Sequence, residues 1–214
     1  MLRKPAAALA AVLVAGCSVF GIRSGTEQPV YRVVERLGDD VEIRRYGPRT
    51  AAETVARGGT EQEQRGRAFG VLFDYISGAN QAKGEIAMTA PVATEERSEK
   101  VAMTAPVATT PFEGDGLAMR FFLPDSYTLA SAPEPTDPRV QLVEVPAQTL
   151  AVVRFSGSWD EAALAARERQ LLRALEGSDW RANGTPFELF YDPPFALPFL
   201  RRNEVAVPVE PRGG

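Results

Sequence analysis

Val41-Glu42-Ile43-Arg44-Arg45-Tyr46 alternates apolar with polar or charged side chains and then breaks at Gly47-Pro48. A period of two marks a strand with one buried face, and the Gly-Pro pair turns the chain into a second strand, Thr50 to Arg57. Gly58-Gly59 then lead to Thr60-x-x-Glu63, a spacing in which hydroxyl and carboxylate satisfy each other's backbone N–H groups at a helix start. The helix carries Phe69, Leu72, Phe73 and Ile76 at three-four spacing as its core stripe, and Gly78 should stop it.

The same order recurs further along. Leu117 to Leu123 reads as a strand, a Pro-rich loop runs from Pro124 to Pro138, and Val140–Val145 and Leu150–Phe155 are strands divided by Pro146. Gly157-Ser158-x-x-Glu161 has the spacing of a second capping box, before a helix with Leu164, Leu171, Leu172 and Leu175 on one stripe and Gly177 at its end. Phe187–Tyr191 and Val205–Val209 supply a last strand pair. The repeat lies in order and not in residue identity. Two such halves predict an α+β fold, a barrel-like antiparallel sheet carrying two helices in one domain.

Between the halves one octapeptide occurs twice, Ala-Met-Thr-Ala-Pro-Val-Ala-Thr, at Ala87–Thr94 and Ala102–Thr109. The polar bridge Glu95–Lys100 reads as a turn, so the copies read as the arms of a β-hairpin. That pairing places Met88 and Met103 on one sheet face. Two polarizable thioethers there would fill a core or contact a planar apolar ligand, and core filling is the expected role. Pro91 and Pro106 lack a backbone donor, so each arm should be an edge strand or break there.

The N-terminus reads as targeting rather than fold. Residues 1–16 pair the basic Arg3-Lys4 with an apolar stretch, Ala6 to Gly16, far short of the ~18 residues that span a bilayer. Val14-Ala15-Gly16-Cys17 has the form of a bacterial lipobox, and Cys17 is the sole cysteine, so it is the expected lipidation site. Several acyl chains would give stable membrane anchoring at the cell envelope, with residues 17–29 as a lipidated tether below a domain spanning 30–210. A cysteine taken by lipid leaves no disulfide, so stability must come from a core, which 44% apolar residues can supply. Losing Arg3 and Lys4 with the leader takes the formal charge from −4 to −6, which argues against nucleic acid as a partner.

Histidine is absent, which excludes a Ser-His-Asp triad, a Cys-His dyad and most zinc sites. There is no phosphate-binding glycine loop, and no catalytic or metal residue is assigned. Glu42 and Glu53 are strand carboxylates that nothing in the sequence places together. The expectation is a protein that is not an enzyme.

Tyr75-Ile76-Ser77-Gly78-Ala79-Asn80, the repeated Met-Thr-Ala-Pro-Val, Tyr191-Asp192-Pro193-Pro194 and Arg201-Arg202-Asn203-Glu204-Val205 follow one another in an order that resembles the SOUL haem-binding family, from about Tyr31 to Val209. The resemblance implies a distorted antiparallel β-barrel flanked by two helices. It also implies haem or another tetrapyrrole held in an apolar groove along the first helix, with no obligatory axial histidine. Phe69, Leu72 and Phe73 align with that groove, although the same residues suit core packing. Arg65 and Arg67 precede the aromatic pair and could clamp propionates or simply face solvent, and Gly66 stands where relatives tend to carry a basic residue. The mostly apolar loop Phe195-Ala196-Leu197-Pro198-Phe199-Leu200 caps the barrel or forms a lid, with Phe195 and Phe199 as the ligand contacts. Arg202 and Glu204 suit a partly buried ion pair that pins the last strand, or Arg202 could instead serve a ligand carboxylate. Without histidine, an iron could take only Met88, Met103, Tyr75, Tyr191 or water.

Three functions stay open. One is a lipid-anchored envelope protein binding a tetrapyrrole non-catalytically. Another is a partner-binding envelope lipoprotein with no haem role. The third is a small-molecule-binding barrel with weak hydrolytic activity.

Overall fold

The computed structural model describes residues 25–83, 98–193 and 195–213. The leader, Cys17 and the first octapeptide with Met88 lie outside them. In chain order the elements are β1 (Tyr31–Leu37), β2 (Val41–Tyr46), β3 (Arg49–Ala56), α1 (Glu61–Ser77), β4 (Asn80–Gln81), β5 (Val107–Phe112) and β6 (Gly116–Phe122). Then come β7 (Glu134–Pro135), β8 (Gln141–Val145), β9 (Gln148–Phe155), α2 (Glu161–Glu176), β10 (Trp180–Ala182), β11 (Phe187–Phe190) and β12 (Asn203–Pro211).

Strands curl into one antiparallel sheet in the order β1-β2-β9-β12-β11-β5-β6-β3-β8, with β10 added to β12 and a separate β4–β7 pair. This is the α+β distorted barrel expected, open at the β1 and β8 edges. The order is symmetric about the β11–β5 pair, and each half lends its first strand to the other. Thus β2 lies on β9 and β8 lies on β3. Ala52 pairs with Leu142, and Ala151 with Ile43, the same partnership with the halves exchanged. Swapped strands join two similar halves into one cooperative unit.

Alternation along the strands sorts the core into three layers. Ala151, Val153, Val205 and Val207 face Leu164, Leu171 and Leu175 of α2. Ala52, Leu117, Met119 and Phe121 face Ala68, Leu72, Tyr75 and Ile76 of α1. Leu150, Val152, Ala51, Phe122 and Tyr46 turn the other way and fill the inside of the curl.

Thr60 and Glu63 form the capping box expected at α1, and Gly78 ends the helix with φ +125°. Asn80 then ties the chain down, its side chain bonding both the N–H and the C=O of Glu99.

Four expectations change. Thr109 is a cross-strand partner of Glu188 on one side and Met119 on the other, so Val107–Thr109 has no free edge for a first octapeptide. The stretch before Pro106 pairs instead with the N-terminal segment, Ala105 N–H donating to the Glu27 carbonyl. Met103 is 42% exposed, not core filling. The second helix is capped by Asp160, whose carboxylate accepts from Ala163 N–H at 2.9 Å, because Ser158 donates to that carboxylate instead. Finally, Glu27 and Gln28, within the stretch expected as a tether, rest against the domain and accept hydrogen bonds from the Asp125 N–H and the Arg202 guanidinium.

Candidate functional site

Helix α1 buries Gln64, Ala68, Leu72, Tyr75 and Ile76. At 100° per residue, Arg65, Phe69 and Phe73 fall on one margin of that face, over the sheet's central strands. The two phenyl rings stack, 5.9 Å apart and 14° from parallel, and Phe69 meets Phe121 edge-on at 5.3 Å. Phe69 is 36% and Phe73 46% exposed, so the core stripe expected through them is narrower than its spacing suggested. Leu72 is completely buried and belongs to the core rather than to a surface.

Gly66 and Gly70 extend the same margin outward. A Cβ at either would meet nothing within 4 Å, so this side of the helix is open backbone beside an aromatic stack.

Beneath Arg65 runs the β5–β11 pair. Arg65 donates to Thr109 Oγ1 at 3.1 Å, pairs with Glu61, and lies 3.6 Å from Glu188. Thr109 donates in turn to Glu188 at 2.6 Å. Burial pushes the Glu188 carboxyl up, and Arg65 opposes it. The Arg65 guanidinium also covers the Phe190 ring at 5.0 Å; Trp159 stands edge-on to that ring at 4.9 Å, and Arg201 covers Trp159 at 4.5 Å. Arg65 thus bridges α1, on one bank of the β5–β11 pair, to Phe190 and Trp159 on the other.

The Phe195–Leu200 loop is fastened to that second bank. Gly157 N–H donates to the Pro198 carbonyl and Arg201 Nε to that of Ala196. Ala196 is buried while Phe195 and Phe199 are 64% and 69% exposed. Arg67 is not brought to the aromatic pair: it stands on the opposite flank of α1, donating to the carbonyls of Arg57 and Gly58.

Of the tyrosines considered for iron, Tyr75 is buried and donates to the Pro133 carbonyl, and Tyr191 is buried and donates to Glu204. Met103 is the one exposed candidate among the described residues. Glu42 pairs with Arg44 and Arg36, and Glu53 with Arg120, so the two carboxylates are committed separately. Among the described residues no group of three or more His, Cys, Asp and Glu could hold a metal ion.

The signature around Arg202 is structural, as its charges suggested. Glu204, fully buried, takes hydrogen bonds from Arg44 at 2.9 Å, Tyr191 at 2.9 Å and Arg202 at 2.7 Å. Sequence reading missed Trp159, Thr109, Glu188 and Phe190. A Thr and a Glu in two distant strands carry no mutual signal until β5 and β11 are known to pair.

The chain belongs to the SOUL haem-binding protein family, whose model matches residues 26–208. A curated relative, heme-binding protein 1 of Sus scrofa, is 33% identical over 138 residues, which is 63% of this chain and 65% of that protein. The match therefore spans just under two thirds of the relative's length. Among solved structures, the EcmrR C-terminal domain aligns with a TM-score of 0.57 at 11% identity, over 85% of this chain and 99% of that one. A hydrolase from Listeria innocua aligns at 0.54 and 14% identity, over 80% and 92%. At such identities the likeness is one of fold alone.

Proposed function

We propose that this protein binds haem or a related tetrapyrrole non-catalytically along the exposed aromatic flank of α1, as a lipid-anchored protein of the cell envelope. The observation that carries the reading is the exposed, stacked Phe69–Phe73 pair beside the bare backbone of Gly66 and Gly70. A helix flank with two rings and no Cβ beyond them accepts the face of a flat macrocycle, and two interior glycines otherwise only weaken a 17-residue helix. Family membership and the name of the Sus scrofa relative support the ligand class.

The residues present fit such a group by packing more than by ligation. Phe69 and Phe73 would hold it, with the exposed Phe195 or Phe199 as a further contact, and Arg65 would face a carboxylate only by sharing its ties to Glu61 and Glu188. The bound group would supply its own redox and ligand chemistry. With no histidine in the chain and the Tyr75 and Tyr191 phenols buried, weak or water ligation is expected.

Haemin titration followed at the Soret band tests this, comparing the unaltered protein with a Phe69→Ala, Phe73→Ala double variant. Micromolar binding with a high-spin spectrum, weakened about tenfold or more in a double variant that still melts cooperatively, is expected. Binding indifferent to both rings would refute the placement. No binding would favour the exposed Phe195–Phe199 loop as a protein-docking surface. The anchor is tested by mass spectrometry of the mature protein, where an unmodified Cys17 would end that part of the reading.

A further inference from the structure

A cavity of about 530 Å³ opens away from α1, near the sheet edges β1 and β8. Val30, Pro48, Leu123 and Leu129 give it apolar walls, and Arg49, the first residue of β3, is the one cation lining it. The guanidinium is sandwiched between aromatic rings, 4.1 Å from the Phe122 centroid and 4.8 Å from that of Tyr46. Arg49 Nε is buried and has no hydrogen-bond partner among the described residues. Nor does the side chain make an ion pair with any of them.

An arginine in such a place is incomplete. Stacking satisfies the faces of the guanidinium and leaves its in-plane donors, and the buried Nε–H in particular, without an acceptor. Burial pulls the Arg49 pKa down, with Tyr46, Tyr191 and Asp125 opposing it, and no carboxylate of the described residues lies close enough to form an ion pair with it. Elsewhere in this barrel buried arginines are answered: Arg44 and Arg202 both meet Glu204. Arg49 has no such carboxylate.

Two acids, Asp125 and Glu144, also line the cavity, and both are exposed to solvent. They would repel an anion with charge spread along its length, but water screens them from one whose single charge sits deep at Arg49. The cavity size falls within the range of small-molecule sites, and its walls suit an aliphatic body.

We propose that this cavity binds a small monocarboxylate with an apolar body, of the fatty-acid class, its carboxylate accepting in the plane of the Arg49 guanidinium. Planar bidentate geometry is what an arginine fork and a carboxylate share. The inference is independent of the tetrapyrrole reading. Arg49 keeps company with Tyr46 and Phe122 on the inside of the curl, whereas Phe69 packs on Phe121, which faces α1.

The test uses the full chain and decanoate, with decan-1-ol and decanedioate as neutral and doubly charged comparisons, read by calorimetry. Decanoate should bind about tenfold or more tightly than either. Arg49→Met should erase that preference, and Glu144→Gln, an exposed rim change, should tighten decanedioate binding while leaving decanoate binding nearly unchanged. A second reading needs no variant: the bound carboxyl of 13C-labelled decanoate should titrate below the free acid, because a cation favours its charged form, whereas burial among apolar walls alone would raise it. Equal binding of decanoate and decanol, full decanoate affinity in Arg49→Met, or a raised carboxyl pKa would each overturn the proposal.

Discussion

The guanidinium of Arg44 on β2 meets the carboxylate of Glu204 on β12 at 2.9 Å, 160 positions apart in the chain and neither side chain more than 3% exposed. The two strands do not pair directly; β9 lies between them. Their side chains meet because both point into the curl, where Tyr191 and Arg202 complete the acceptor's partners. Removing one member would leave buried charge uncompensated. Glu204→Gln is therefore expected to cost ~3–5 kcal/mol in urea unfolding, the range for breaking one side of a buried pair. A loss well under 1 kcal/mol would show that the guanidinium groups find another answer.

Both helix starts should weaken in acid. The Thr60 backbone N–H, with its hydroxyl and Arg67 adding, holds the Glu63 carboxyl below its usual range. The Ala163 N–H, with Ser158 helping, does the same for Asp160. A depressed carboxyl stabilises the fold above its unfolded pKa, and that contribution disappears as pH falls through the folded value. The melting temperature should fall on acidification below the ordinary carboxylate range, and less steeply in Glu63→Gln. An unchanged slope in that variant would remove Glu63 from the explanation.

Met103→Ala should change stability by less than about 1 kcal/mol, because a side chain 42% open to solvent leaves little cavity when truncated. Neighbouring Thr104 behaves oppositely. Its buried hydroxyl donates to the Phe122 carbonyl, so Thr104→Val should cost ~1–3 kcal/mol by leaving that acceptor unpaired. Thermal melts of the two variants would reverse this order if the second octapeptide were arranged differently.

Gly66→Ala and Gly70→Ala should each raise stability by ~0.5–1 kcal/mol, since both lie inside a helix and the added methyl meets nothing. Haemin affinity should fall in the same variants if the bare flank receives a flat ring. Stabilisation with unchanged affinity would separate the glycines from ligand binding.

Local signals carried much of this architecture. The alternation through Val41–Tyr46, the Thr60–Glu63 capping box and the Gly78 stop are each decided by neighbouring residues, and each survives folding unchanged. The repeated order of strand, strand, helix, strand and strand carried the two-half barrel for the same reason. The Arg202–Glu204 pair was also legible, being two residues apart on one strand.

The kind and order of elements follow from neighbouring residues, because propensity, caps and turns act over a few positions. Tertiary structure alone decided which strands pair, and everything that depends on pairing. The second octapeptide reads as a hairpin arm until β6 and β11 are seen on either side of Val107–Thr109. Phe69 and Phe73 fit a core stripe by spacing, yet the sheet covers only the side of α1 that carries Ala68 and Leu72. Arg49 looked like any strand-end arginine. Its place between two buried rings, with a donor left over, follows from packing that joins Tyr46 to Phe122 across 76 positions of chain, a contact no local rule can encode.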